Sequence, residues 1–562
     1  MSPLDSTKSV TNQVPAPQSN RETVESIVVA VILAFLFRTF VAEAFVIPTG
    51  SMAPTLLGNH KDVVCSKCGF AYEGGASCEN EDRVGGDWGT VAATTCPLCR
   101  YTMTLDWTEN PNQATFTGDR ILVNKFAYDL GEPQRWDVIV FKYPGNAKIN
   151  YIKRLVGLPH ETLRLKNGDV FVQPEGESEY RIARKPPHKQ LAMMQIVDDT
   201  RYTSQVAEWN EIGWPSRWQY SPPVETVRSS QEDRQGVALD GRQQQAWVRY
   251  RHLVFDANAW ERLEAGQKPL PDQRVELIAD FCAYNAVSKE QKMPADFRID
   301  SQRRYEPESE QEGLHWVGDL ALEADLTVSG QEGQVLLDLV EGGVHFSCTI
   351  DVATGRAALS ISDVELKFEQ GEPTAQTSLQ GPGKYSVRYS NFDDEIRLWI
   401  NQTLIEFSQP TTYGGSPDYS PLPAWSASDS GDWEPVGIGA HGLELRAEHL
   451  RVWRDIYYLA GSSEYRRPRS AKQIRTVFRN PESGPNNELF LDRNQQDYPL
   501  AADQFFPMGD NSPHSADARL WDYPKYVERE LLIGKAAAVY WPHSWNRPIP
   551  FLPNVPKMRL IH

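Results

Sequence analysis

One stretch of the chain is apolar at every position: Ile27 to Phe37, IVVAVILAFLF, followed after Arg38 by VAEAFVI at 41–47. From about residue 118 onward the pattern changes to short segments in which apolar and polar residues alternate, broken by Gly, Asp, Asn and Pro. Successive side chains of a strand point to opposite faces, so this period of two predicts sheet. It is clearest in GDRILVNKFAYDLGEPQRWDVIVFKYP (118–144) and NYIKRLVGLPHETLRLKNGDVFVQ (150–173), where Asn167-Gly168-Asp169 predicts a hairpin turn. From 174 to about 300 the chain is polar and weakly periodic, with YRHLVFDANAW (250–260) and QRVELIADFCAYNAV (273–287) read as strands and 291–313 as a polar connection. Alternation returns over 316–408 between Gly, Asp and Asn turns, which predicts an antiparallel sandwich, and the Pro, Gly and Ser of 409–440 predict a linker. The fold class is mainly β.

A membrane span needs about 20 mostly apolar residues. Residues 24–46 reach that length by tolerating Glu25, Arg38 and Glu43. Three readings fit: a membrane anchor, a cleaved signal peptide ending at the small-x-small site Ala42-Glu43-Ala44, or a buried helix. The anchor is preferred, because cleavage would sever the following segment, IPTGSMAPTL at 47–56, from it. Lys8 and Arg21 precede the run and favour a cytoplasmic N-terminus. Residues 1–23 form a polar tail read as disordered.

The 562 residues suffice for two to four domains. Lys and Arg total 57 against 75 Asp and Glu, a net charge of -18, which excludes a general nucleic-acid-binding surface. Among seven cysteines, Cys65 and Cys68 pair in sequence with Cys96 and Cys99 as two C-x2-C knuckles. That spacing suits a structural zinc ribbon, with paired disulfides or free thiols as the alternatives.

IPTGSMAPTL, YIKRLVGLP and MGDNSPHSADARLW, in that order behind the apolar run, resemble the type I signal peptidases, Ser/Lys endopeptidases that remove signal peptides. GDRILVNKFAYD and RWDVIVFKYP resemble the family's intervening strands. The resemblance implies a catalytic domain at 47–173 and 505–562, a cysteine-knuckle insertion at 60–117 and a large insertion at 174–504. The 316–408 portion faintly resembles concanavalin-like or laminin-G-like sandwiches.

By the same resemblance, Ser51 is the nucleophile and Lys153 the general base. Serine needs a base, and lysine serves as one only if burial depresses its pKa, which the apolar flanks Tyr151, Ile152, Leu155 and Val156 suit. Thr49 and the Ser51 N–H are the oxyanion donors, Gly50 lets the chain turn, and Ser515 orients the lysine. Asp510, Asn511, Asp517 and Arg519 support the site; read without the resemblance, an Asp517–Arg519 pair is an ordinary surface ion pair. An extended substrate would add between Phe45-Val46-Ile47 and Tyr151-Ile152, with Ile47, Met52 and Ile152 lining its pockets. A Ser/His/Asp arrangement using His60, His160 or His514 leaves Lys153 unexplained. LVGLPHE carries His160 and Glu161 where the family has Gly and Asp.

The implied enzyme is a single-pass protein of the cell membrane with its catalytic domain outside the cytoplasm. It cleaves preproteins after Ala-x-Ala sites without a catalytic cofactor, contacts membrane lipids, and holds an envelope glycan through the insertion. Its own Ala42-Glu43-Ala44 is a candidate substrate. The alternative is a catalytically silent, envelope-binding protein on a peptidase scaffold.

Overall fold

The strands predicted around the cysteine knuckles assemble into one large antiparallel sheet. The computed structural model describes residues 20–36, 42–79, 89–106, 108–221, 236–267, 275–285, 287–291, 313–461, 471–480, 495–545 and 551–562. The principal strands are β1 (Ala42–Val46), β2 (Arg120–Asn124), β3 (Val138–Tyr143), β4 (Asn146–Gly157), β5 (Gln504–Met508) and β6 (Leu532–Trp541). Their spatial order is β1-β2-β6-β3-β4-β5. Strand β3 shows why: Ile139 and Phe141 face one core, with Leu155, Leu163, Val172 and Phe506, while Val138 and Val140 face another, with Ile47, Met52, Ile121 and Val123. A strand buried on both faces belongs in the middle of a sheet.

The first of those cores is closed by a four-stranded sheet of Arg181–Ile182, Asp169–Pro174, Glu161–Lys166 and Gln495–Leu500. Its hairpin turns at Asn167 and Gly168, both with positive φ (59° and 99°), the conformation an Asn-Gly pair adopts most readily.

Two seven-stranded sheets form a sandwich around a separate core that includes Leu322, Leu326, Leu337, Phe346, Ile438 and Val452. Its strands run from Gln195–Asp199 to Glu444–Arg454, wider than the 316–408 alternation suggested. Val436–His441 lies inside one sheet, where the Pro, Gly and Ser content predicted a linker. Within YRHLVFDANAW, Ala257–Glu264 is a helix capped by Asp256, whose Oδ1 accepts from Ala259 N at 2.9 Å. The expected polar connection of 291–313 and most of the N-terminal tail lie outside the described residues.

The expected anchor is corrected. Among the described residues, no helix is long and apolar enough to cross a membrane. Helix α1 (Asn20–Leu36) has 17 residues and begins with Arg21, Glu22 and Glu25. At 1.5 Å per residue it measures about 25 Å against a hydrocarbon core of about 30 Å. Residues 42–46, counted as the end of a 24–46 span, instead form β1, paired with β2 from Ala42↔Asn124 to Val46↔Arg120. The alternating exposure of Ala44, Phe45, Val46 and Ile47 suits a sheet edge. The transmembrane helix, the single-pass placement and the lipid contact expected from it are withdrawn accordingly.

Candidate active site

The segment carrying Ser51 leaves β1, makes a short turn over Gly50–Met52 and crosses the end of β4. Backbone bonds from Ile47 N to Asp119 O (2.9 Å) and Asp119 N to Leu57 O (2.9 Å) fix its two ends. Lys153 lies in the buried half of β4 and donates from Nζ to Ser51 Oγ at 2.6 Å and to Ile152 O at 2.9 Å. Ser51 is 6% and Lys153 4% exposed. Burial pushes the lysine down to about 8; Asp517 and Asp510 raise it and Arg519 lowers it, neither reversing the effect of burial.

The 509–519 turn closes over this pair. Asn511 N donates to Ser51 O (3.2 Å) and its Nδ2 to Gly50 O (2.9 Å). A Cβ on Gly509 would lie 2.2 Å from Ser51 O and from Ser515 Oγ, so only glycine allows the approach. Asp517 accepts Gly509 N at 2.9 Å and a two-point contact from Arg519 at 2.8 and 2.7 Å. Both of these side chains are fully buried, unlike a surface ion pair. Ser515 is buried beside the turn with its hydroxyl close against Gly509, and among the described residues it makes no hydrogen bond to Lys153. Thr49 is half-buried in extended backbone, and its side chain caps nothing in the Gly50–Met52 turn.

Of the residues assigned to substrate contact, Ile47, Met52 and Ile152 sit in the core beneath the site, with Phe45 packed at its margin. Tyr151 stacks on Tyr143 at 4.7 Å, and its ring centroid lies 5.3 Å from Lys153 Nζ. Strand β1 is an edge of the sheet, and β4 pairs with β5 only from Arg154 onward. Among the described residues, the outer side of β1 and of the first half of β4 is therefore open to an added strand.

Three contributors were not singled out in the sequence. Arg154 makes a two-point contact with Asp510, 2.7 Å on each side, with both side chains fully buried. Tyr284 and Asn285 come from the large insertion. The Tyr284 hydroxyl donates to Asn59 O at 3.2 Å, and the Asn285 and Asn511 amides exchange bonds of 2.5 and 2.7 Å. A Cβ on Gly50 would lie 2.2 Å from Tyr284 Cε1. Gly50→Ala is therefore expected to lower the melting temperature by the equivalent of about 1–3 kcal/mol. Adding Tyr284→Ala to that chain should recover part of the loss; a thermal melt of the two proteins checks it.

Cys65, Cys68, Cys96 and Cys99 converge away from the dyad. The Sγ pairs 65/99 and 68/96 are 3.4 and 3.6 Å apart, far beyond a disulfide bond and close to the edge of about 3.8 Å expected of a zinc tetrathiolate. Both knuckles turn alike: Gly69 N donates to Cys65 O and Arg100 N to Cys96 O, with positive φ at Gly69 and Arg100. The cluster is buried and consistent with structural zinc. Trp260 Nε1 donates to Cys99 O at 2.9 Å and Arg217 Nη2 to Leu98 O at 2.8 Å, so the knuckles share a core with the insertion. Stripping zinc with a strong chelator is expected to shift Trp fluorescence, through Trp209 and Trp260, and to lower the melting temperature, with both restored by zinc.

The family model described as "Signal peptidase, peptidase S26" matches residues 20–73, 97–212 and 458–541. The match supports classification as a serine peptidase of the signal-peptidase type. Among named relatives, the chain is similar to signal peptidase I of Pseudomonas aeruginosa, 45% identical over 82 residues, which are 12% of this chain and 29% of the relative. It is also similar to probable signal peptidase I-2 of Synechocystis, 24% identical over 260 residues, 44% of this chain and 88% of the relative. The chain thus spans under a third of the length of the Pseudomonas relative. A carbohydrate-binding module of Bacillus subtilis, CBM66, overlaps 24% of this chain and 73% of its own at 12% identity, with a TM-score of 0.16. A likeness that slight identifies no ligand.

Proposed function

We propose that the protein is a signal peptidase that cleaves exported preproteins after Ala-x-Ala-like sites, using Ser51 and Lys153. The observation that carries this reading is the 2.6 Å contact between Lys153 Nζ and Ser51 Oγ inside a buried site. A solvated lysine is charged at neutral pH and has no lone pair to offer; burial, by lowering the pKa of Lys153 to about 8, brings the neutral amine within reach just above neutrality. The matches to signal peptidases support the reaction class and the preprotein partner.

In this mechanism a substrate strand adds to the open edges of β1 and β4, bringing its scissile carbonyl to Ser51. Neutral Lys153 takes the Oγ proton as Oγ bonds to the carbonyl carbon. The oxyanion meets the Ser51 N–H and the Thr49 hydroxyl. Lysinium then protonates the leaving amine as the C–N bond breaks; the regenerated amine takes a proton from the water that attacks the acyl-serine and returns it to Oγ as the acyl C–Oγ bond breaks, releasing the carboxyl product and Ser51. Ser515 steadies the lysine, while Asn511, Asp517 and Arg519 hold the turn. Two insertions, 60–117 and 174–504, interrupt the catalytic unit.

The test is incubation of the full chain with a preprotein carrying an Ala-x-Ala site, followed by mapping of the cut across pH. Only neutral Lys153 is a base, so the rate is expected to rise with pH through about 8 and to level above it. Cleavage elsewhere, or a profile flat between pH 6 and 9, would count against the reading.

A further inference from the structure

We propose that His60, Asp62 and His543 form a second metal site, suited to a divalent transition ion that favours imidazole, such as zinc. It lies outside the peptidase dyad and the four-cysteine cluster and does not depend on the proposed reaction.

The case begins with strand His60–Val64, which follows the nucleophile segment. Residues two apart on a strand share a face, so His60 and Asp62 point the same way. His543 reaches them from just beyond β6. One candidate ligand atom from each residue lies within 4.8 Å of the others. Both histidines are buried, at 0% and 1% exposure.

Proton placement supplies the argument. His60 Nδ1 is 2.7 Å from Gly58 O, and a carbonyl only accepts, so Nδ1 carries the hydrogen. With Nδ1 protonated, its Nε2 is a lone pair, fully enclosed and without a hydrogen-bond partner among the described residues, and it faces Asp62 Oδ1 at 3.6 Å. That oxygen also accepts from Lys557 Nζ at 2.9 Å, so an ion bound between Asp62 and His60 would displace the ammonium onto Glu73. A backbone carbonyl that fixes one imidazole nitrogen while the other faces inward is the arrangement that orients histidine ligands of metals. His543 Nε2 adds a third donor, 2.8 Å from Asp62 Oδ2, and its ring stacks on Phe116 at 4.4 Å.

Charge points the same way. Both Asp62 oxygens face nitrogen: Oδ1 accepts from Lys557 Nζ and Oδ2 lies 2.8 Å from His543 Nε2. Lys557 is shared between Asp62 (2.9 Å) and Glu73 (2.6 Å), leaving two carboxylates to one ammonium. Glu73 can retain Lys557 when Asp62 turns an oxygen to an ion. Bound there, the ion would tie the strand after the nucleophile to the C-terminal end of the large sheet.

The experiment is metal analysis of the full chain, loaded with zinc and freed of excess by gel filtration. The expected result is two zinc ions per chain, falling to one in His60→Ala and in His543→Gln. Cobalt-substituted samples show whether the variants remain folded: thiolate-to-cobalt absorption from the four cysteines should be unchanged. His160→Ala, at an exposed histidine, should still hold two. One ion per chain in the parent, or two in both variants at the site, would overturn the proposal.

Discussion

A chain carrying Ser51→Ala or Lys153→Met is expected to fold as the parent does and to cleave a preprotein at least about 10^4-fold more slowly. In the proposed mechanism the two substitutions remove the attacking atom and the base that activates it, and neither strips the turn of its backbone contacts. Methionine fills nearly the volume of the lysine stem while removing a buried amine, so stability should hold or rise slightly. Because the pair acts as a unit, the double variant should be about as slow as either single one rather than 10^8-fold slower. Mass spectrometry of the cleaved and intact preprotein reads both quantities. A folded Lys153→Met protein with residual activity near the parent level would remove the lysine from the mechanism.

The largest structural effect is expected from Asp510→Ala. It leaves the Arg154 guanidinium fully buried with its two-point partner gone, retaining only the carbonyls of Trp136 (2.7 Å) and His562 (3.1 Å). Breaking one side of a buried pair costs about 3–5 kcal/mol, because the remaining charge is neither solvated nor neutralised. In a chain with several cores a single unfolding free energy is poorly defined, so local protection is the better measure. Amide exchange should accelerate in β3, β4 and β5, while the sandwich strands Leu320–Val328 and Glu444–Arg454 keep their protection. Adding Arg154→Met should restore much of the difference, since an apolar pair of similar volume needs no charge partner. Unaltered exchange in Asp510→Ala would show that the pair does not hold the sheet to the turn.

Much of the site is legible in the sequence because its chemistry is packed into short segments. Ser51 sits in a Gly, Pro and Thr context, Lys153 lies in an apolar strand, and Gly509-Asp510-Asn511 is a plain turn signal. The cysteine spacing likewise announces convergence before any fold is known. Arg154 escapes notice because charges at consecutive strand positions read as one inward and one outward, whereas here the partner that permits burial lies 356 residues away. The same logic hides the depth of Asp517 and Arg519: their spacing predicts contact but says nothing of the chain laid over them. Tyr284 and Asn285 carry no local periodicity, since their partners near residues 59 and 511 are remote. The strand reading of 250–260 failed for a different reason: Asp256 caps a helix of only eight residues, too short to establish a helical period. The expected anchor failed where apolar content continued past a change of element, from α1 into the β-forming AEAFV.

The clamp between Asn511 and Gly50 joins residues 461 positions apart. A ribosome adding about 5–20 residues per second needs roughly 20–90 s to travel between them. Throughout that interval Ser51 and, for most of it, Lys153 have left the ribosome without the turn that fixes them. In the nascent chain the Ser51–Lys153 pair therefore lacks its closing turn until residues 509–519 have followed it out of the ribosome.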